Sequence, residues 1–164
     1  MYARAHAERQ PDQPCVIMAG SGEALSYGQL EARANRLAQL LRRHGLRRLD
    51  HYAIFMENNA RYIEACAAGE RAGLYYTCIN SHLNAEELAF IVNDSLARVL
   101  ITSRAQREVA LAAFAACPRL ELLLMLDAGP DDAPFVDYEG AIAAMPATPI
   151  ADESLGGAML YSSG

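Results

Sequence analysis

Capped helical stretches alternate with short apolar runs along most of this chain, and that alternation restricts the fold more than any other feature. Ser26 stands ahead of an apolar stripe at Leu30, Ala34, Leu37, Ala38 and Leu41, the spacing of one helix face. Gln29, three residues after Ser26, completes a capping box. Gly45 after His44 supplies a left-handed stop. Residues 52–56 read as a short apolar strand. Asn58 or Asn59 then caps a helix that carries Tyr62, Ile63, Cys66 and Ala67 and ends at Gly73. Residues 74–79 form the next strand. Asn84 and Glu87 make a second capping box, ahead of a helix that buries Leu88, Ile91 and Val92. Residues 98–102 are β-rich. Ser103 is the expected cap of an alanine-rich helix over 104–116, which Cys117-Pro118 stops. The apolar run 122–126 fits a strand covered on both faces.

The flanks are less regular. Residues 2–9 read as a short opening helix, stopped near Pro11 and Pro14. Residues 15–19 and 24–26 flank Gly20-Ser21-Gly22-Glu23 as a hairpin. Residues 128–153, with Gly129-Pro130 and Pro134, Pro146 and Pro149, are expected to run over the surface with one short helix near 138–144. A last strand is expected over 157–161. Strands and helices alternating at this length predict an α/β fold, a mostly parallel sheet with flanking helices and right-handed crossovers.

Composition excludes several function classes. The chain has 164 residues, 52% hydrophobic and 21% charged, which suits a folded domain rather than a disordered segment. A net charge of −6 argues against nucleic acid as the partner. All 14 basic residues are arginine, so neither a Schiff-base lysine nor a phosphate-binding lysine is available. The four cysteines, Cys15, Cys66, Cys78 and Cys117, form no CxxC pair, against a zinc or thioredoxin-like site. They read as separate buried thiols. No apolar run reaches the roughly 18 residues of a membrane span. Arg4, His6, Glu8 and Arg9 exclude a signal peptide at the start, and a cytoplasmic location is expected.

Few motifs carry chemistry. Gly20-Ser21-Gly22 begins like a dinucleotide fingerprint, but Leu25 stands where the third glycine belongs. His6, His44, His51 and His82 are scattered and read as surface or capping residues. The acids Asp127, Asp131, Asp132, Asp137 and Glu139 lack calcium-loop spacing and read as a solvated connection. Tyr75 and Tyr76 are expected to pack beside a strand. Ser162, Ser163 and Gly164 follow the last apolar strand, at the end of a sheet where α/β folds take ligands. Two hydroxyls and glycine-permitted backbone N–H groups wrap phosphate oxygens in such turns; a plain terminal turn is the alternative.

From residue 2 to 164 the chain resembles the N-terminal part of the adenylate-forming acyl-CoA synthetases. The stretches that carry the resemblance are Leu25-Ser26-Tyr27-Gly28-Gln29-Leu30, Asn35-Arg36-Leu37-Ala38, Leu41-Arg42-Arg43-His44-Gly45, Ala53-Ile54, Glu57-Asn58-Asn59, Ala72-Gly73, Ile79-Asn80-Ser81-His82-Leu83-Asn84-Ala85-Glu86-Glu87-Leu88 and Asp94-Ser95-Leu96-Ala97, in that order. Leu160-Tyr161-Ser162-Ser163-Gly164 looks like the start of the family's phosphate loop. The chain departs from the pattern at Leu49-Asp50, where the family has Gly-Asp, and at Arg61, where a glutamate is usual. The resemblance implies an incomplete N-terminal portion of the family's large domain, residues 1–164, truncated at the phosphate loop.

It also implies a ligase that joins a carboxylic acid to ATP as acyl-adenylate, then to CoA as a thioester, with Mg2+ assisting. The phosphate-contacting residues it assigns are Ser162, Ser163 and Gly164. No catalytic residue and no metal ligand is assigned, and the chain alone is expected to be inactive and to bind no cofactor. A fatty acid is the expected substrate; an aromatic, carnitine-related or amino acid is the alternative. A stand-alone binding or interaction domain is the rival from another class. Self-association, as a homodimer, is expected through apolar surface near 122–126 and 157–161.

Overall fold

The structure, a computed structural model, describes residues 3–161. A short helix α1 (Arg4–Arg9) leads into an antiparallel hairpin, β1 (Pro14–Ile17) and β2 (Ala24–Ser26). Gly22 turns it with φ of +74°, a conformation that favours glycine. The following elements are α2 (Tyr27–Arg43), β3 (His51–Phe55), α3 (Ala60–Ala72), β4 (Tyr75–Ile79), α4 (Ala85–Asp94) and β5 (Val99–Thr102). A single 3-10 turn (Arg104–Gln106) precedes α5 (Arg107–Phe114), then come β6 (Leu122–Met125), β7 (Val136–Asp137), α6 (Tyr138–Ala143) and β8 (Gly157–Met159).

Six strands form one sheet in the order β7-β6-β5-β3-β4-β8, and every pairing in it is parallel. The α/β expectation therefore holds, with the antiparallel pairing confined to the small hairpin. No described helix is long and apolar enough to cross a membrane.

The strands alternate strictly between two cores. Tyr52, Ile54, Val99, Ile101, Leu122 and Leu124 point to one face, where α2, α3 and α6 lie. Ala53, Phe55, Leu100, Leu123 and Met125 point to the other, under α4 and α5. Both capping boxes form. Ser26 accepts from Gln29 N while Gln29 reaches back to Ser26 N; Asn84 and Glu87 do the same. Asn59, rather than Asn58, caps α3, accepting from Arg61 N at 2.9 Å. Gly45 and Gly73 take φ of +84° and +68° as helix stops.

Four expectations need correction. Ser103 caps nothing: the chain enters a 3-10 turn, and the Ser103 hydroxyl donates to Glu57 instead. In α3 the buried side holds Ala60, Glu64, Ala65, Ala68, Gly69, Arg71 and Ala72, while Ile63 is exposed. Small residues let α3 lie against the sheet. A Cβ on Gly69 would collide with Tyr52 Oη and stand 2.8 Å from Tyr76 Cδ1, and one on Gly156 would collide with the Gly69 carbonyl.

The segment 128–153 is not a surface connection. It contributes β7 to the sheet and buries Phe135, Tyr138, Ile142, Met145 and Ile150. Three of its acids, Asp132, Asp137 and Glu139, are partners rather than members of a solvated cluster. Asp132 is buried between Arg104 and Arg107, at 2.6 and 2.8 Å, and Asp137 caps α6 through Gly140 N. Finally, 122–126 offers no open edge: β6 lies between β5 and β7 and is fully buried. The sheet's outer strands are β7 and β8.

Charge ties the helices of the first face together. Glu64 is fully buried on α3 and accepts from Arg33 Nε on α2 at 2.5 Å and from the Tyr138 hydroxyl on α6. Arg71, also fully buried, donates two bonds to Glu31 at 2.9 and 2.8 Å and a further one to Asn35. Arg4 then bridges Glu31 and Glu153.

Candidate functional site at the carboxyl rim of the sheet

Open α/β sheets take ligands at the carboxyl ends of their strands, above all where successive connections leave on opposite faces. Here α3, after β3, packs on one face and α5, after β5, on the other. The crevice between those two exits has a volume of about 530 Å³ and includes Glu57, Asn59, Ser103 and Arg104. Its charges are already matched. Arg61 lies 2.7 Å from Glu23 and 3.2 Å from Glu139, Arg33 lies 2.7 Å from Glu139, and Arg104 is held by Asp132. A ligand anion there competes with carboxylates of the chain itself.

The rim beyond β4 differs. Two adjoining recesses, of about 600 and 740 Å³, share Cys78, Ile79 and Asn80. The smaller one also takes Asn58, Tyr62 and His82. The larger is walled by Leu83, Phe90, Ile91 and Tyr161, with Glu86 and Glu87 at one side. A tight turn shapes the shared floor. Asn80 Oδ1 accepts from His82 N at 3.0 Å, and Leu83 N donates to the Asn80 carbonyl at 3.2 Å; Asn84 then starts α4. These polar side chains line apolar walls, the usual make-up of a small-molecule site.

Tyr161 fixes the far wall. Its hydroxyl donates to Asp94 at the end of α4, at 2.6 Å. Burial and that carboxylate push the Tyr161 phenol up to about 12, so it stays a proton-bearing donor at neutral pH.

The rim is acidic. Glu57, Glu86 and Glu87 line the recesses, and no described arginine does. A polyphosphate held there needs cations that these walls do not provide. Among the described residues no group of three or more His, Cys, Asp or Glu side chains is placed to hold a metal ion. The residues described therefore do not fit Mg2+.

Ser162, Ser163 and Gly164 lie outside the described residues; Tyr161 before them lines the larger recess. The histidines stay apart. His6 stacks on Tyr27 at 4.8 Å and His51 on Tyr75 at 5.0 Å. His44 ends α2, and only His82 of the four lines either recess. Burial lowers the His51 pKa, partly offset by Asp50. Sequence reasoning missed Tyr62, Asn80 and Cys78 as rim residues. Asn80 was within reach, because it directly follows a predicted parallel strand.

A family model described as AMP-binding enzyme matches residues 3–164. Long-chain fatty acid transport protein 1 of Bos taurus is 35% identical over 98 residues, which are 60% of this chain and 15% of that protein. Tyrocidine synthase 3 of Brevibacillus parabrevis is 35% identical over 104 residues, 63% of this chain and 2% of that protein. The crystal structure of an anthranilate CoA ligase in complex with anthranoyl-AMP superposes with a TM-score of 0.87 at 20% identity, covering 99% of this chain and 32% of the other. The match to these relatives thus involves a small part of their length, and the structural likeness establishes the fold.

Proposed function

The chain belongs to the AMP-binding enzyme family, and from that premise we propose that it forms the N-terminal part of an ATP-dependent acid–thiol ligase. The whole protein would join a carboxylic acid to ATP as acyl-adenylate and pass the acyl group to CoA. The family match over residues 3–164 carries this reading. A fatty acid is the proposed acid, supported by the likeness to the bovine protein. The 35% likeness to a peptide synthase keeps an amino acid as the competing substrate.

Within this scheme the sheet acts as a platform. The β4 rim shapes one wall for a bound molecule, and the Tyr161–Asp94 hydrogen bond anchors the chain just ahead of Ser162, Ser163 and Gly164. We assign those three the leading contacts to phosphate oxygens. The 164-residue chain alone is proposed to be inactive: it has no lysine, and no described arginine lines the two recesses beyond β4.

Carboxylate-dependent exchange between ATP and labelled pyrophosphate tests the proposal. The complete gene product containing this sequence is expected to exchange fastest with fatty acids, and the 164-residue chain not at all. Fastest exchange with an amino acid or an aromatic acid replaces the substrate assignment. No exchange with any carboxylate rejects the ligase reading, and exchange by the short chain rejects its inactivity.

A cytoplasmic location is part of the proposal. So is pairing with a second copy along β8, which has one strand neighbour and is flanked by the exposed Leu155 and Leu160. Sedimentation showing only monomer at high concentration would remove that last element.

A further inference from the structure

Two of the four cysteines meet in space. Cys66 sits on α3 and Cys78 on β4, 12 residues apart, with their sulfurs 3.8 Å from each other. Both are free thiols and half-buried. We propose that Cys66 and Cys78 are a reversible dithiol switch, oxidised by hydroperoxides to a disulfide that clamps α3 to β4 beneath the rim.

Three observations support the assignment. Cys78 lines both recesses at the β4 rim, so a small oxidant reaches its sulfur. The Cys66 thiol beside it, with Tyr62 on the same helix, holds its proton affinity below the usual thiol range against the opposing effect of burial. The contact with Cys78 and burial push the Cys66 thiol up. A thiolate-prone, accessible sulfur beside a second thiol is the arrangement of redox-sensing cysteines. The other two cysteines lack it. Cys15 points at the Leu25 carbonyl at 3.1 Å, Cys117 is buried beside the Ala89 carbonyl, and burial pushes both thiols up.

The chemistry balances with hydrogen peroxide, the simplest hydroperoxide, as the oxidant. The Cys78 thiolate attacks the outer peroxide oxygen, the O–O bond breaks, and the departing hydroxide takes a proton to leave as water. Cys78 is then a sulfenic acid. The Cys66 sulfur attacks the Cys78 sulfur, the S–S bond forms, the S–O bond breaks, and the leaving hydroxyl takes the Cys66 proton as a second water. Two thiols lose two electrons and one peroxide gains them. Closing the bond brings the sulfurs from 3.8 Å to about 2.05 Å.

The test is mass spectrometry after brief hydrogen peroxide treatment of the native chain, followed by alkylation under denaturing conditions. The expected product is about 2 Da lighter before alkylation, carries a Cys66–Cys78 cross-linked peptide, leaves Cys15 and Cys117 alkylated, and returns to four alkylated thiols with dithiothreitol. C66S is expected to stop at a Cys78 sulfenic acid trapped by dimedone, and C78S to slow thiol loss by about tenfold or more. Four alkylatable thiols after peroxide, a bond to another cysteine or between chains, or equal thiol loss in C78S would each overturn the proposal. The wild-type mapping decides the matter even if a variant folds poorly.

Discussion

The two faces of the sheet are held by different means. Under α4 and α5 the core is mainly apolar, with Leu88, Val92, Ala110 and Ala113 against Phe55, Leu100 and Leu123, and its buried carboxylate, Asp132, is paired with Arg104 and Arg107. Under α2, α3 and α6 an apolar core is bordered by buried charge, with Glu64 and Arg71 fully enclosed. The first arrangement tolerates imperfect fit at the cost of cavities. The second tolerates no missing partner, because an enclosed charge left alone costs several kcal/mol. The charged face is also the one whose helices carry Asn59 and Tyr62 to the rim, so position there depends on ion pairs.

The largest expected effect comes from breaking that charged seam. Arg71→Met leaves Glu31 without its two strongest bonds and should lower unfolding free energy by about 4 kcal/mol, read from the urea midpoint. A loss below about 1 kcal/mol would mean the seam is solvated and the contrast between faces is empty. Next comes Leu88→Ala, which empties a fully buried site on the apolar face and should cost about 3 kcal/mol. That loss should be the same at pH 4 and pH 7, since no ionisable group takes part.

The pH dependence of the seam is the most selective test. Burial works to raise the Glu31 pKa, but the hydrogen bonds and charge of Arg71, with Arg4 and Asn35, outweigh it and leave the group below its usual value near 4.5. Its contribution to stability is therefore fully present above that value and is lost as pH falls through the lower folded value. Glu31→Gln should flatten the acid limb of stability against pH, whereas Leu88→Ala should shift the whole curve without changing its slope. An unchanged acid limb in Glu31→Gln would show that the ion pair does not titrate with folding.

The same contrast explains what was legible in the sequence. The apolar face announced itself: Asn84 with Glu87 marked the start of α4, and Leu88 and Val92 marked its buried side. Even the continuous run at 122–126 correctly suggested a strand covered twice. The charged face was harder. Glu64 and Arg71 look like solvated residues in any periodic pattern, and their burial depends on Arg33, Tyr138 and Glu31, far away along the chain. Small residues hold that side of α3, while Ile63 is exposed.

β7 spans two residues, too few for any alternation to show. Asp132 is paired from a different helix, which local charge counting does not reveal. The rim was only partly readable. The parallel-strand rule points to Asn80, but the approach of Cys66 to Cys78 and of Tyr161 to Asp94 arises from tertiary packing alone. The candidate phosphate contacts, Ser162, Ser163 and Gly164, were read from their position after the last strand and lie outside the described residues.

Gly69 and Gly156 make a fulcrum of α3. Three backbones cross there with no room for a methyl group, and the tyrosine rings beneath are buried. Any bulk added at that crossing must tilt the whole helix. Since the amino end of α3 stands beside the opening past β4, a small change of volume at the pivot would be geared into a wider or narrower mouth.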